Sequence, residues 1–367
     1  MSIRSVITHP LSVPQPAGSG RSGFVNSLVV EIVTEDGRVG FGESFSPVSP
    51  RAAAQLVSDV LAPMLVGQDE GDIGGVWRRM RAALVTPVAG AGAEAVSAVD
   101  IALWDLLGKK LDTPIHALLA GEGRKRLDAY ASFIGWIADD DAVALAERAV
   151  DLGFRRLKVK LLPPLDAAIA RVRLIRHALG NGIGLIADPN GTFDYAEAAH
   201  LARELGELGY LWLEEPINPA DIAGLARLNA LGLVPLAAGE SEYGPRGAIA
   251  LVAVGAIGLL QPDCGRIGGI TGVMRAVHAG TALGVAFAPH HAGGAIKATA
   301  ALHLAAALPG FRVMECSLLR TPLHDELTRA PVAHPGLLDE AGTLPVPDGP
   351  GLGIEVDRDT LARLLIH

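Results

Sequence analysis

The sequence predicts an α/β fold: a closed parallel barrel of about eight strands, preceded by a smaller domain. Three observations point there. From about residue 126 onward, short apolar runs alternate with helical segments, the order that builds a parallel sheet. The runs are nearly continuous in apolar residues, as strands covered on both faces are. Each run also ends in a charged or titratable residue. These ends, Lys160, Asp188, Glu214, Glu240, Asp263, His290 and Glu315, are separated by 28, 26, 26, 23, 27 and 25 residues. Such intervals are the length of one strand–helix unit. In barrels of this kind the C-terminal strand ends carry the site, so residues far apart in sequence converge on one mouth.

Taken in order, the N-terminal part begins with a segment, His9 to Gly23, whose Pro, Ser and Gly content predicts a mobile loop. Leu28 to Val33 and Val39 to Glu43 flank a Glu-Asp-Gly-Arg turn and predict a hairpin. Val96, Val99, Leu103 and Leu106 recur at helical spacing, with Gly108 placed as a stop. YASF, at 130–133, predicts the first barrel strand. RRLKVK (155–160), GLIADPN (184–190), YLWLEEP (210–216), VPLAAGE (234–240), IGLLQPD (257–263), VAFAPHH (285–291) and RVMEC (312–316) supply the other seven. The tail beyond about Leu323 is rich in Pro and Gly and is expected to fold back onto the first domain. The division is thus 1–125 with 323–367, and 126–322.

Composition narrows the function. Half of the 367 residues are apolar and 19% are charged, which excludes extensive disorder. A net charge of −9 argues against nucleic acid and anionic membrane surfaces as partners. The longest apolar stretch, Ile249 to Leu260, is 12 residues, short of the roughly 18 needed to cross a bilayer. No signal-peptide pattern is visible. The two cysteines, Cys264 and Cys316, fit a reduced compartment, so a cytoplasmic protein is expected.

Asp188, Glu214 and Glu240 end three consecutive strands. Hard oxygen donors of this kind suit magnesium or manganese. Three like charges at one mouth would repel strongly without a cation. Glu215 follows Glu214 and should point the other way. Lys158 and Lys160 lie two apart and share a face, so each makes protonation of the other harder, which favours a general base. Asp263 stands one strand before the histidines at 290 and 291 and can orient an imidazole. Adjacent strand residues point oppositely, so one of His290 and His291 faces the metal, and the choice stays open. Glu315, if an apolar site keeps it protonated, could donate a hydrogen bond to a developing oxyanion.

The stretches AVSAVDIALWDLLGKKLDTPIHALLAG, LKVK, ADPNGTFD, WLEEPI, AAGES, QPDCGRIGGITG, APHHAGG and VPDGPGLGIEVD resemble the enolase superfamily, in its mandelate racemase/muconate lactonizing enzyme branch. They span nearly the whole chain in family order. The resemblance implies a (β/α)7β modified TIM barrel with an α+β capping domain. It implies magnesium on Asp188, Glu214 and Glu240, and Lys160 as a base tuned by Lys158. Asp263 with His290 looks like the acid/base dyad of the mandelate racemase subgroup, and Glu315 like its electrophilic acid. Asn190 sits where relatives contact substrate. His290 follows Ala-Pro, as in many relatives, whereas His291 heads a His-Ala-Gly-Gly run found in some acid-sugar dehydratases. Members are usually homo-oligomers.

The implied chemistry is removal of the proton beside a substrate carboxylate to give an enediolate. Loss of a 3-hydroxyl then makes an acid-sugar (aldonate or aldarate) dehydratase yielding a 2-keto-3-deoxy acid. Return of a proton from the opposite face makes a racemase or epimerase of a 2-hydroxy acid. Cycloisomerisation is less expected, because that branch typically has Lys where Asp263 stands. A barrel that binds metal or ligand without catalysis, and a metal-dependent hydrolase, are the remaining alternatives. The second would call for histidine ligands that these strand ends do not offer. The capping loops at His9 to Gly23, with Arg21, and at Phe45 to Arg51 are expected to close over the mouth.

Overall fold

The computed structural model describes residues 2–16, 23–69, 71–84 and 89–366. The predicted hairpin is the middle of a larger unit. Strands β1 (Ile3–Pro14), β2 (Phe24–Thr34) and β3 (Val39–Phe45) form an antiparallel sheet in that order. The β2–β3 turn closes with Thr34 N donating to Arg38 O and Gly37 N donating to Thr34 O. Gly37 takes a φ of 83°, a conformation that costs glycine nothing.

The predicted loop from His9 is corrected in its first half. His9 to Pro14 pairs with β2 in register, as far as Pro14 opposite Phe24. Proline is tolerated there because β1 is an edge strand, where a missing N–H breaks no second ladder. Arg21 lies outside the described residues.

The helix Ala91–Lys110 packs on this sheet through its glycines. A Cβ on Gly42 would sit 2.0 Å from Ala98 O, and one on Gly40 would sit 2.4 Å from Ala102 O. The apolar face at Val96, Val99, Leu103 and Leu106 is fully buried, as its spacing predicts. Gly108, expected to stop the helix, lies inside it. Its role is close approach instead, since a Cβ there would meet Gly351 Cα at 2.4 Å. Asp105 ties three segments together, accepting from Phe41 N at 2.9 Å, Lys109 Nζ at 2.7 Å and Leu352 N at 2.8 Å. The tail makes further contacts with the first sheet. Arg358 grips buried Glu31 at 2.8 and 3.0 Å, and Ile366 N donates to Pro10 O.

Eight parallel strands then alternate with seven helices. The strands are β4 (Arg126–Ile134), β5 (Arg156–Lys160), β6 (Gly184–Asp188), β7 (Trp212–Glu214), β8 (Leu236–Ala238), β9 (Leu259–Leu260), β10 (Ala286–Phe287) and β11 (Met314–Ser317). They neighbour one another in sequence order, and β11 returns to pair with β4. A bridge between Phe287 and Phe311 joins β10 to the approach of β11 and closes the ring. The architecture is a (β/α)7β barrel. A short strand, β12 (Thr343–Pro345), adds antiparallel to β4.

The two-residue period sorts the side chains. Leu157, Val159, Leu185, Ala187 and Leu213 face the helices in the main core. Tyr130, Ile186, Trp212, Ala237 and Leu259 fill the barrel interior. The interior face carries on to Lys158, Lys160, Asp188 and Glu214, and the β5–β6 register sets Lys160 opposite Asp188.

Glu31 is drawn down to a pKa of about 2, first by its bond to His9 and then, against burial, by Arg358. A depressed carboxylate contributes stability above its ordinary value of 4.5, and that contribution is lost as pH falls toward 2. Arg358→Met is therefore expected to cost about 1–3 kcal/mol near neutral pH. Denaturant titration should show the gap between variant and wild type narrowing as the solution is acidified below 4.5.

Candidate metal centre and acid/base site

The barrel interior becomes polar at the C-terminal strand ends. One ligand atom from each of Asp188, Glu214 and Glu240 lies within 4.8 Å of the other two. Asp188 and Glu214 are fully buried. Repulsion and burial push Glu214 well above the usual carboxylate range, with Asp188 the chief charged contributor. Asp188 is drawn down to about 2 despite burial, by Lys160 and then Lys158. Glu240 turns its Oε2 toward His290, with Nε2 at 3.2 Å. Three convergent carboxylates, two of them fully buried, fit a divalent cation with hard ligands. The cluster could hold a metal ion.

Glu215 does turn away from this set, with a φ of 35° and Oε2 accepting from Ser241 Oγ at 3.0 Å. Burial, then Glu240 and Asp188, push its carboxyl up to about 8.

Lys158 and Lys160 share the interior face, but their surroundings differ. Lys158 is fully buried, 2.7 Å from Glu214, 3.1 Å from Glu315 and 3.4 Å from Asp188. Burial disfavours its charge, yet those carboxylates more than offset the effect and hold its pKa well above the usual value. Lys158 is thus a fixed cation within the cluster. Lys160 contacts Asp188 and donates to Asn190 Oδ1 at 2.9 Å. Asn190 also donates its backbone N–H to Asp188 Oδ1, which ties the loop after β6 to the same carboxylate.

The two histidines differ in their contacts. His290 Nδ1 lies 2.7 Å from Asp263 Oδ2, and its Nε2 lies 3.2 Å from Glu240 Oε2. The ring therefore bridges the expected Asp partner and the carboxylate cluster. His291 makes no contact with the three carboxylates: its ring, in the lining of the same cavity, packs edge-on against His324, and neither ring nitrogen has a partner. Burial holds its imidazole neutral. Its backbone N–H donates to Glu315 Oε2 at 2.9 Å.

Glu315 departs from the expectation of a protonated donor. Burial favours protonation, but Lys158, His290 and the His291 N–H overcome it and hold the group as a carboxylate. The environment is buried without being apolar.

Two neighbours were not singled out from the sequence. Gln261, at the end of β9, donates Nε2 to Glu214 Oε2 at 2.8 Å. Lys297, in the helix Ala295–Ala307, reaches Asp263 Oδ2 at 2.6 Å. It is the one charged residue of that otherwise apolar helix apart from its histidine, a signal that was present in the sequence.

The site opens into a cavity of about 190 Å³. Lys160, Asn190, Glu240, His290 and Glu315 form its floor. Gln15, Phe24, Asn26, Phe45 and Pro47, from the N-terminal sheet and the segments beside it, line the remainder together with residues at the end of β4, after β10, and at and beyond the end of β11.

Comparison with known proteins identifies the family. Residues 7–120 match the mandelate racemase/muconate lactonizing enzyme N-terminal domain, and residues 141–360 match the enolase C-terminal domain-like family. The chain is 32% identical to a D-galactarolactone cycloisomerase of Agrobacterium fabrum, covering 98% of this chain and 96% of that protein. It is 34% identical to a D-galactonate dehydratase of Verminephrobacter eiseniae, over 76% of this chain and 74% of the other. Among solved structures, a racemase from Streptomyces coelicolor A3(2) with bound magnesium superposes with a TM-score of 0.90 at 28% identity, covering 99% and 100% of the two chains. The chain belongs to the mandelate racemase/muconate lactonizing enzyme family of the enolase superfamily. Among the described residues, no helix is long and apolar enough to cross a membrane.

Magnesium is expected to raise the melting temperature of chelator-treated protein. At a hundred times its dissociation constant, a cation that binds only the folded state adds about 2.7 kcal/mol, a shift of several degrees. In Glu240→Ala the shift should largely vanish, as read by calorimetry with and without magnesium.

Proposed function

We propose that the protein is a magnesium-dependent acid-sugar dehydratase. The observation that carries the reading is the placement of two proton-transfer groups at the two ends of one carboxylate cluster. Lys160 meets it at Asp188, and His290 meets it at Glu240. Asp188, Glu214 and Glu240 would hold the cation, with manganese an alternative to magnesium. When bound, the cation supplies Lewis-acid stabilisation of the negative charge that develops on a substrate carboxylate.

Lys160 is placed to take the proton from the carbon beside that carboxylate. Its contact with Asn190 fixes the position of Nζ, and Asn190 lines the cavity where a substrate hydroxyl would sit. His290 is placed on the other side to give a proton to the departing 3-hydroxyl, which leaves as water. The remaining enol then becomes a 2-keto-3-deoxy acid. Asp263 accepts from Nδ1 and leaves Nε2 as the reacting nitrogen. Lys158, held charged, offsets the carboxylates around it, and Glu315 orients Lys158 and the His291 backbone in place of donating a proton. Residues 1–125 and the returning tail 323–367 form the cap over the barrel, 126–322, and exclude water from the cavity. The protein acts on small carboxylates as a homo-oligomer in the cytoplasm.

Support for the substrate class comes from relatives named for galactonate, arabinonate and gluconate dehydration. One relative is a galactarolactone cycloisomerase, which favours cycloisomerisation as a second reading even with Asp263 in place.

The test is a panel of aldonates, aldarates and their lactones incubated with magnesium in D2O. Dehydration gives semicarbazone-reactive 2-keto-3-deoxy acid. Deuterium at C2 with loss of chirality and no keto acid identifies a racemase or epimerase instead, and lactone consumption without loss of water identifies a cycloisomerase. Lys160→Ala should lower kcat by about 10²–10⁴-fold. Unchanged turnover in that variant would remove the lysine from the mechanism.

A further inference from the structure

Asp263 holds two side chains at once. Its Oδ2 lies 2.7 Å from His290 Nδ1 and 2.6 Å from Lys297 Nζ, while its Oδ1 accepts from Gly265 N at 2.7 Å. Lys297 is completely buried. An ammonium in such a place carries a desolvation cost of several kcal/mol unless a partner compensates it. Its ion pair is with the one carboxylate that also holds the imidazole.

The surroundings are shaped for this side chain. Its path runs past two glycines: a Cβ on Gly265 would lie 2.6 Å from Lys297 Cδ, and one on Gly293 would lie 3.2 Å from Cε. The start of its helix is held by Glu43 of β3, which accepts from Gly294 N at 2.6 Å and from Lys297 N at 2.9 Å. The Nζ also stands 5.8 Å from the centre of the Phe45 ring, a wall of the cavity. A continuous line of contacts thus runs from the N-terminal sheet through Glu43, Lys297 and Asp263 to His290.

We propose that Lys297 is a positioning residue for the acid/base chemistry: its ammonium locks the Asp263 carboxylate in the one orientation that aims His290 Nε2 at the carboxylate cluster. The inference rests on the reading of His290 as an acid/base group. A carboxylate held only by Gly265 N and an imidazole can swing about its Cβ–Cγ bond and take the ring with it. The third donor removes that freedom. In that geometry Lys297 acts through Asp263 and never touches substrate.

The experiment compares Lys297→Met, Asp263→Asn and the double variant, each loaded with magnesium, using the acid sugar that the unaltered protein turns over fastest in the panel above. Lys297→Met should lower kcat by about 10–100-fold with KM changed by less than about threefold. The double variant should be no slower than Asp263→Asn alone, because the two residues act in one chain. Unchanged kcat in Lys297→Met, or losses that multiply in the double variant, would overturn the proposal. A crystal structure of Lys297→Met provides a readout independent of turnover. A His290 ring rotated away from Glu240 supports the proposal, and a ring left in place sinks it. Should Lys297→Met fail to fold, Lys297→Leu, which likewise removes the donor, takes its place in every arm with the same expectations. If no acid in the panel is consumed or exchanges its α-proton, the dehydratase reading falls, and the crystallographic comparison alone decides the positioning role.

Discussion

The site is organised around a buried cation, Lys158, that has three carboxylates within 3.4 Å. No apolar core would tolerate Asp188, Glu214 and Glu315 so close together, and none would tolerate an isolated ammonium. Each makes the other admissible. The barrel permits the arrangement because its parallel strands deliver alternate side chains to one interior face from widely separated points of the chain. The remaining polar groups attach to this nucleus in turn. Gln261 satisfies Glu214, Asn190 satisfies Asp188, and the His291 backbone satisfies Glu315. Glu240, the third member of the cluster that could take a metal, meets His290 Nε2.

Much of this was legible in the sequence for a geometric reason. A titratable residue at the end of each of seven regularly spaced apolar runs can converge with the others only if the runs form a barrel. The barrel order and the grouping of Asp188, Glu214 and Glu240 follow from that spacing. The same logic could not separate His290 from His291, because the choice depends on where the short strand β10 (Ala286–Phe287) ends and how the chain leaves it. The state of Glu315 was beyond a sequence argument as well. Burial alone raises a carboxylate, and the opposing Lys158 comes from a strand about 150 residues away. His9 to Pro14 was misread because proline and serine signal loops unless the strand is known to lie on an edge. Lys297 escaped notice for the opposite reason: a lone lysine in an apolar helix is usually a solvated group, and here it points inward.

The capping sheet and the barrel are joined by polar links as well as apolar packing. Glu43 holds the start of the helix that carries Lys297, and Trp77 donates to Gly268 O at 2.7 Å at the start of the preceding helix. Thr271 N is bound by Asp100, and Gly268 N by Ser97, both from the helix Ala91–Lys110. These links gather on the two barrel helices that flank His290 in sequence. The cap therefore braces the half of the barrel that presents the imidazole.

The barrel's ladders are uneven, and this divides the site into two kinds of support. β5 and β6 pair over five residues, up to Lys160 and Asp188 themselves. β9 and β10 pair over two residues, so Asp263 and His290 stand three residues beyond the last ladder position. The lysine half is therefore built into the sheet, whereas the histidine half hangs from turns, caps and one buried ion pair. On the proposed reading, substitutions that reshape those turns would redirect the second proton without disturbing where the first is removed. A fold arranged in this way can exchange one overall reaction for another while its opening step stays the same.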